Sequence, residues 1–433
     1  MMPDTSKRRP FWSGQTARAL FGPSPGVREI RAACWAALVV TMALVALSIV
    51  YGAMDRPFLG HQPGGDYISF YVAGKILNEY PHSRLYDSSL QYRLHHAVMP
   101  EMPRETVEAY INTPFFAWIF RPLALLPFAW SYGLWVAISA LLYLTGLWAV
   151  WPPDKGFRDV SRIAFLACCS FPPFSIECLA GGQISAAGFC ALALCTRWML
   201  TGYPMAAGAA LAVCLYKPPL LVLAVPMLAI GRRFRMVLGF AAGACVVAAL
   251  SLAAVGYEGC VAYVQALGVR AEWTARNPSP LPLFKFVDIH TFVRQLAGGH
   301  STASAGAAFI LMGAAFVWLA TRWARSRPGT REAGLLWAAT IAWTLVFNVY
   351  VPIYDTILIV IPALLMAGAV YRSGREGAES DRAAFQGWML ALGVAAVVSQ
   401  PLAAATRFQI LTVVLAAIGV LALRWSAQKR LEA

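Results

Sequence analysis

A carboxylate that follows two glycines, Gly64-Gly65-Asp66-Tyr67, stands in a long polar stretch between two apolar runs, residues 32–53 and 129–151. The glycines let backbone come close to a bound molecule, and a carboxylate held in such a turn can take the proton of an attacking hydroxyl. Asp66 also stands where it would cap a following helix, and the two uses are compatible. Lys217, Arg276 and Arg270 are the candidate cations for an anionic leaving group, whose oxygens gain charge as a bond breaks. Lys217 is foremost, because a lysine set among Pro218, Pro219 and apolar neighbours needs an anionic partner: a phosphate, Asp87 or Asp355. No phosphate-cradling glycine loop and no paired acidic metal box is present, and the nine cysteines fall mostly inside apolar runs without metal-ligand spacing. No cofactor and no metal ligand set is therefore expected. A divalent ion could bind if Asp66 and Asp87 approached one another, but nothing in the sequence requires one.

The elements that must position these groups are helices in a bilayer. Hydrophobic residues make up 59% of the chain and charged residues 13%, a balance that points to a polytopic membrane protein. Residues 32–53 run without a charge for about 33 Å of helix, enough to cross a hydrocarbon core of about 30 Å. That run is too long for a signal-peptide core, so it is expected to remain as an anchor. Twelve spans are predicted: 32–53, 129–151, 160–180, 184–200, 204–216, 218–230, 236–256, 304–321, 333–350, 356–371, 385–404 and 408–423. With the N-terminus inside, the cytoplasmic side holds 23 Lys/Arg and 9 Asp/Glu, and the outer side 12 and 12. The whole net charge of +14 then lies inside, as the positive-inside rule expects. This bias makes a nucleic-acid partner unnecessary to explain the basic composition. Both termini are expected in the cytoplasm.

The outer segments collect the unusual residues: all six histidines, Asp66, Asp87, Gly181-Gly182-Gln183, Lys217, Arg276-Asn277, Asp288 and Tyr354-Asp355. Such asymmetry suits an enzyme with an external active site. A transporter would more often pair ionisable groups at the midplane between related halves. Tyr67, Phe70, Tyr71, Gly74 and Leu77 follow helical spacing, so residues 67–79 should form an interfacial helix with its rings toward lipid or bundle. Residues 112–127, interrupted by Arg121, Pro122 and Pro127, are read as an outer juxtamembrane helix that does not cross. Residues 204–216 and 218–230 are short for spans, which would sink Tyr216-Lys217-Pro218-Pro219 below the outer surface; one long helix kinked at the prolines is the alternative. Residues 257–303 form a second outer loop, with an interfacial helix over 281–296. The domain plan is a basic segment 1–31, a catalytic module 32–256 with the outer loop 54–128, the second loop 257–303, and a C-terminal module 304–433.

Asp66-Tyr67, Leu85-Tyr86-Asp87, Asn112-Thr113-Pro114-Phe115-Phe116, the Pro122 to Pro127 segment, Gly182-Gln183, Lys217-Pro218 and Arg232-Arg233, in that order, resemble glycosyltransferase family 87. The likeness runs from about residue 60 to residue 240 and returns at Tyr354-Asp355. The sequence departs from it at Thr113-Pro114-Phe115, where many relatives have a Pro-Pro pair, and after Gly182-Gln183, where Ile184-Ser185 replaces a common Asn. The resemblance implies a GT-C fold, a polyprenyl-phosphate sugar donor, a lipid or glycan acceptor, inversion at the anomeric carbon, and Asp66 as the catalytic base. It implies a hexose, mannose by analogy, transferred on the outer face of a bacterial inner membrane. Substrate-binding candidates are Tyr67, Gln183, Asn277, Asp87, His290 and Asp355. Gln183 and Asn277 could bond sugar hydroxyls, although Gly181-Gly182-Gln183 is also an ordinary tight turn between spans; Asp87 and Tyr86 are expected rather to hold their loop together, and Asp355 could cap or orient the span after it. Rival functions are a transporter or flippase of a lipid-linked saccharide, and an oligosaccharide ligase or polymerase.

Overall fold

A computed structural model of the chain describes residues 27–53, 64–100, 109–276, 282–299, 301–372 and 378–427, and among these the regular structure is helical, with one isolated antiparallel bridge, Phe286 to Pro352. The principal helices are α1 (Val27–Ala53), α2 (Tyr67–Glu79), α3 (Ser88–Val98), α4 (Phe128–Val150), α5 (Arg158–Cys169), α6 (Ser185–Leu200), α7 (Pro204–Val213), α8 (Ala224–Ile230), α9 (Phe234–Arg276), α10 (Ile289–Leu296), α11 (Thr302–Arg325), α12 (Arg331–Val346), α13 (Val360–Val370), α14 (Ala378–Thr406) and α15 (Ile410–Ser426). Several are long and apolar enough to cross a bilayer, so the protein is membrane-embedded.

The twelve expected spans are not met one for one. Six helices among the described residues are long and apolar enough to cross, or seven if the bent pair Lys155–Cys169 and Pro173–Ala180 is a single span. Four expected spans fold as shorter apolar helices, Ser185–Leu200, Pro204–Tyr216, Pro218–Ile230 and Ile410–Ser426. The expected span 333–350 is α12, 16 residues or about 24 Å long. Every α12 side chain from Ala333 to Val346 is buried, as a helix apolar all round must be. Its polar atoms are satisfied inside the bundle: Trp337 Nε1 donates to Thr196 Oγ1 at 2.8 Å, Trp343 Nε1 to the Ala416 carbonyl at 3.1 Å, and Thr340 Oγ1 accepts from Trp323 Nε1 at 2.9 Å. α12 packs on α15 and α13, α4 on α6, and α7 on α6 and α9.

Several boundaries also move. The expected span 236–256 continues to Arg276 as one α9, broken by Gly256 at φ 71°, so the second outer loop begins as helix. The helix expected over 281–296 is shorter: a 3-10 turn, Leu283–Lys285, precedes the bridge at Phe286, and α10 starts only at Ile289 behind its N-cap Asp288. Residues 112–127 form two four-residue helical turns, Pro114–Ala117 and Phe120–Leu123, rather than one helix. Around Lys217, a 3-10 turn (Cys214–Tyr216) ends, the backbone extends to φ −141° and ψ 82°, and a second 3-10 turn (Pro218–Leu221) begins. The prolines, which cannot donate to a preceding turn, break the chain there and do not merely kink it.

α2 is more deeply placed than an interfacial helix. Its Tyr67, Phe70, Tyr71 and Leu77 face the main core, and its Ile68, Val72 and Ile76 pack on Leu90 and Leu94 of α3. A side chain at Gly74 would run into the Phe120 carbonyl, so this glycine sets how closely α2 meets the Phe120–Leu123 turn. The rings of the helix therefore point into the bundle, and α2 supports the turn that carries Asp66.

Candidate active site

The site is built on one irregular strip, Pro173–Ser185. Residues Pro173–Ala180 form a π-helical segment, a form common at functional sites and one that leaves the normal helical hydrogen bonds incomplete. Two aromatic side chains of α4 supply the missing donors: Tyr132 Oη donates to the carbonyls of Leu179 and Ala180 at 2.9 and 2.6 Å, and Trp135 Nε1 to that of Gly182 at 3.1 Å. Gly182 has φ 79°, and a Cβ there would stand 2.6 Å from that of Tyr67, so only glycine fits between α2 and this turn. The Asp66 N–H donates to the Gly181 carbonyl at 3.2 Å, which locks the Gly64-Gly65-Asp66 turn against the strip.

Asp66 is the residue before α2, yet its side chain makes no capping hydrogen bond. The carboxylate turns instead toward Gln183, whose side chain donates to it. Burial raises the Asp66 pKa above the ordinary carboxylate range, against the lowering effects of the Gln183 hydrogen bond and the positive charge of Lys285. A carboxylate of raised pKa is, when ionised, a stronger proton acceptor than a solvated one. The capping use open from the sequence is not the one adopted.

Glu177 and Asp66 stand near enough for their charges to interact, and Lys285 acts on both. Glu177 Oε1 accepts from Gln400 Nε2 of α14 at 3.0 Å, and its carbonyl accepts from the Gln183 N–H at 3.2 Å. Sequence reasoning missed Glu177, Gln400 and Lys285. A signal for Glu177 existed, since it is the one acidic residue inside any of the twelve expected spans, and an ionisable group in that setting is a functional candidate by default.

Two residues beyond Gln183, Ser185 connects this cluster to a second. Its Oγ donates to Asp355 Oδ1 at 2.8 Å, while Lys217 Nζ lies 2.5 Å from Asp355 Oδ2. Asp355 does not cap the following helix; it sits inside the 3-10 segment Ile353–Ile359, whose N-cap is Pro352. Of the three anionic partners the sequence allowed for Lys217, the fold supplies Asp355, and the ammonium also lies 4.5 Å from the ring centre of Tyr354. The Asn112-Thr113-Pro114-Phe115-Phe116 motif closes this corner: Thr113 Oγ1 donates to the Leu215 carbonyl at 3.3 Å, and Phe116 stacks on Tyr216.

Of the other expected site residues, Tyr67 braces the Asp66 cluster, while Asp87 and His290 make contacts of their own. Tyr67 is fully buried with its hydroxyl 2.7 Å from Ser131 Oγ, and its ring packs among Phe120, Phe128, Tyr132 and Trp135, which makes it a wall behind Asp66. Asp87 caps α3 through the N–H groups of Ser89 and Leu90 and pairs with Arg84 at 2.7 Å. The Ser89 hydroxyl and Arg84 hold its pKa well below the usual range, so it remains an anionic clamp of its own loop. His290 lies on α10 with its ring 6.2 Å from that of Phe309. Arg270 and Arg276 fall in the last turns of α9, and Asn277 lies outside the described residues. Among the described residues no three His, Cys, Asp or Glu side chains group as a metal-holding set.

The arrangement thus offers a half-buried carboxylate, an amide and a second half-buried carboxylate, and an exposed cation whose charge reaches both carboxylates. Neither a curated protein nor a solved structure matches the chain. Residues 110–348, more than half of the sequence, match the profile of glycosyltransferase family 87; the match takes in the π-helical strip, Gln183, Lys217 and Lys285 and begins after Asp66. Helical, membrane-embedded and matched over that length, the chain belongs to glycosyltransferase family 87 and is a membrane glycosyltransferase.

Proposed function

We propose that this protein moves a hexose, mannose by family analogy, from a polyprenyl-phosphate donor to a lipid or glycan acceptor at the outer face of a bacterial inner membrane, with inversion and with a GT-C-like bundle as scaffold. Asp66 takes the acceptor's proton as its oxygen attacks the anomeric carbon, and the bond to phosphate oxygen breaks with its electron pair leaving on the phosphate. The reaction as written needs neither metal nor organic cofactor. In this reading Gln183 and Glu177 bond sugar hydroxyls, which fixes the ring and places the anomeric carbon before the base.

The observation that carries this reading is that Asp66, though stationed at a helix start, leaves the cap unmade and commits its carboxylate to the Gln183 cluster. The test is transfer of labelled sugar from a short-chain polyprenyl phosphate in reconstituted membranes. Asp66→Asn is isosteric and should lower kcat by about 10²- to 10⁴-fold, the range for loss of a positioned general base. An Asp66→Asn protein that transfers sugar at the native rate removes the mechanism. Saccharide movement across the bilayer with no new glycosidic bond would favour the transporter reading instead.

A further inference from the structure

The sequence singled out Lys217 as the cation for the departing phosphate. Its ammonium is already matched: Asp355 holds it in a pair whose side chains are 11% and 1% exposed, and Tyr354 and Tyr350 face it at 4.5 and 5.6 Å. An incoming phosphate there would meet the Asp355 carboxylate as well as the lysine, and two anions would compete for one charge.

Lys285 presents the opposite case. It ends the 3-10 turn Leu283–Lys285 and is exposed, while the backbone around it is fixed from three sides. Gln409 Nε2 donates to the Phe284 carbonyl at 2.8 Å, Thr412 Oγ1 to that of Val287 at 2.8 Å, and the Val287 N–H to that of Val351 at 2.9 Å. Phe286 is bridged to Pro352 and packs its ring on Tyr350, 5.1 Å between centres. The same turn packs on α14, the helix whose Gln400 bonds Glu177 in the Asp66 cluster. An exposed ammonium on a rigid base, whose charge reaches Asp66 and Glu177, is an arrangement suited to a charged lipid headgroup.

We infer that Lys285 binds the phosphate of the lipid-linked donor and stabilises the charge that this phosphate gains on departure. This rests on the proposed transfer reaction and deepens it. When the acceptor oxygen forms its bond to the anomeric carbon, its proton goes to Asp66 and the electron pair of the broken bond goes to the phosphate oxygen held by Lys285.

The test is binding of farnesyl phosphate and of farnesol to the full-length protein in nanodiscs. The wild type is expected to prefer the phosphate, Lys285→Ala to reduce that preference by about 10- to 100-fold, the span of one hydrogen bond to a charged group, and Lys285→Arg to keep most of it. Farnesol should bind all three alike. Unchanged preference in Lys285→Ala overturns the inference, and so does a variant that loses both ligands equally. Asp66→Asn should keep the phosphate preference, so failure of the base assignment shows in the transfer assay and failure of the Lys285 assignment in the binding assay.

Discussion

The Lys217–Asp355 pair offers the most direct check on how this bundle is held together. Lys217→Ala leaves Asp355, 1% exposed, with the Ser185 hydroxyl as its remaining described hydrogen-bond partner. Stranding a buried carboxylate in this way typically costs about 3 to 5 kcal/mol. Asp355→Asn strands the ammonium instead, and should cost about 1 to 2 kcal/mol less because the Tyr354 ring at 4.5 Å retains a cation–π contact. Replacing both partners, Lys217→Met with Asp355→Leu, removes both charges together and should return stability to within about 2 kcal/mol of the wild type, since the desolvation cost disappears with the attraction. Denaturation of the purified protein in mixed micelles, followed by tryptophan fluorescence, compares the wild type with these three variants. A Lys217→Ala protein within about 0.5 kcal/mol of the wild type would refute the reasoning, as would a double variant no more stable than the worse single one.

Three further outcomes are expected. The acid limb of the kcat/KM pH profile should lie above the ordinary aspartate range, because activity needs Asp66 ionised and its pKa is raised; Gln183→Leu removes a hydrogen bond that favours the ionised form and should move the limb to still higher pH. Asp288 is fully buried, capping α10 and accepting from the Val351 N–H, and its pKa is raised from the ordinary 3.8 to about 6. The folded state therefore binds this proton more tightly than the unfolded chain, so its stabilising contribution is full below about pH 4 and is lost as pH rises through 6, a change on the order of 3 kcal/mol; Asp288→Asn should flatten the stability curve over that window. Gly182→Ala, at φ 79° and against Tyr67, should destabilise by about 1 to 3 kcal/mol and lower transfer by displacing Gln183, which micelle denaturation and the sugar-transfer assay would show together.

Much of this protein can be read from residue order. The uncharged run at residues 32–53 predicts the helix that appears as α1, and Pro218-Pro219 announces the break at Lys217. The motif pieces from Leu85 to Arg233 point to family 87, the family matched over residues 110–348. Span counting was less successful, because an apolar run of 13 to 18 residues reads alike whether it crosses the bilayer or is buried in protein. Residues 333–350 show this: α12 is surrounded by other helices, and nothing local distinguishes protein contact from lipid contact.

Composition and charge determined the class of molecule, because apolar length and basic bias are properties each segment carries alone. Which polar groups meet was decided by tertiary structure. Asp66 and Gln183 are 117 positions apart, Glu177 and Gln400 are 223 apart, and Lys217 finds Asp355 across 138. Those meetings depend on the π-helical turn held by Tyr132 and Trp135 and on close packing at Gly74 and Gly182. A carboxylate's pKa and partners are set by the few ångströms around it, and only the folded bundle brings those neighbours together.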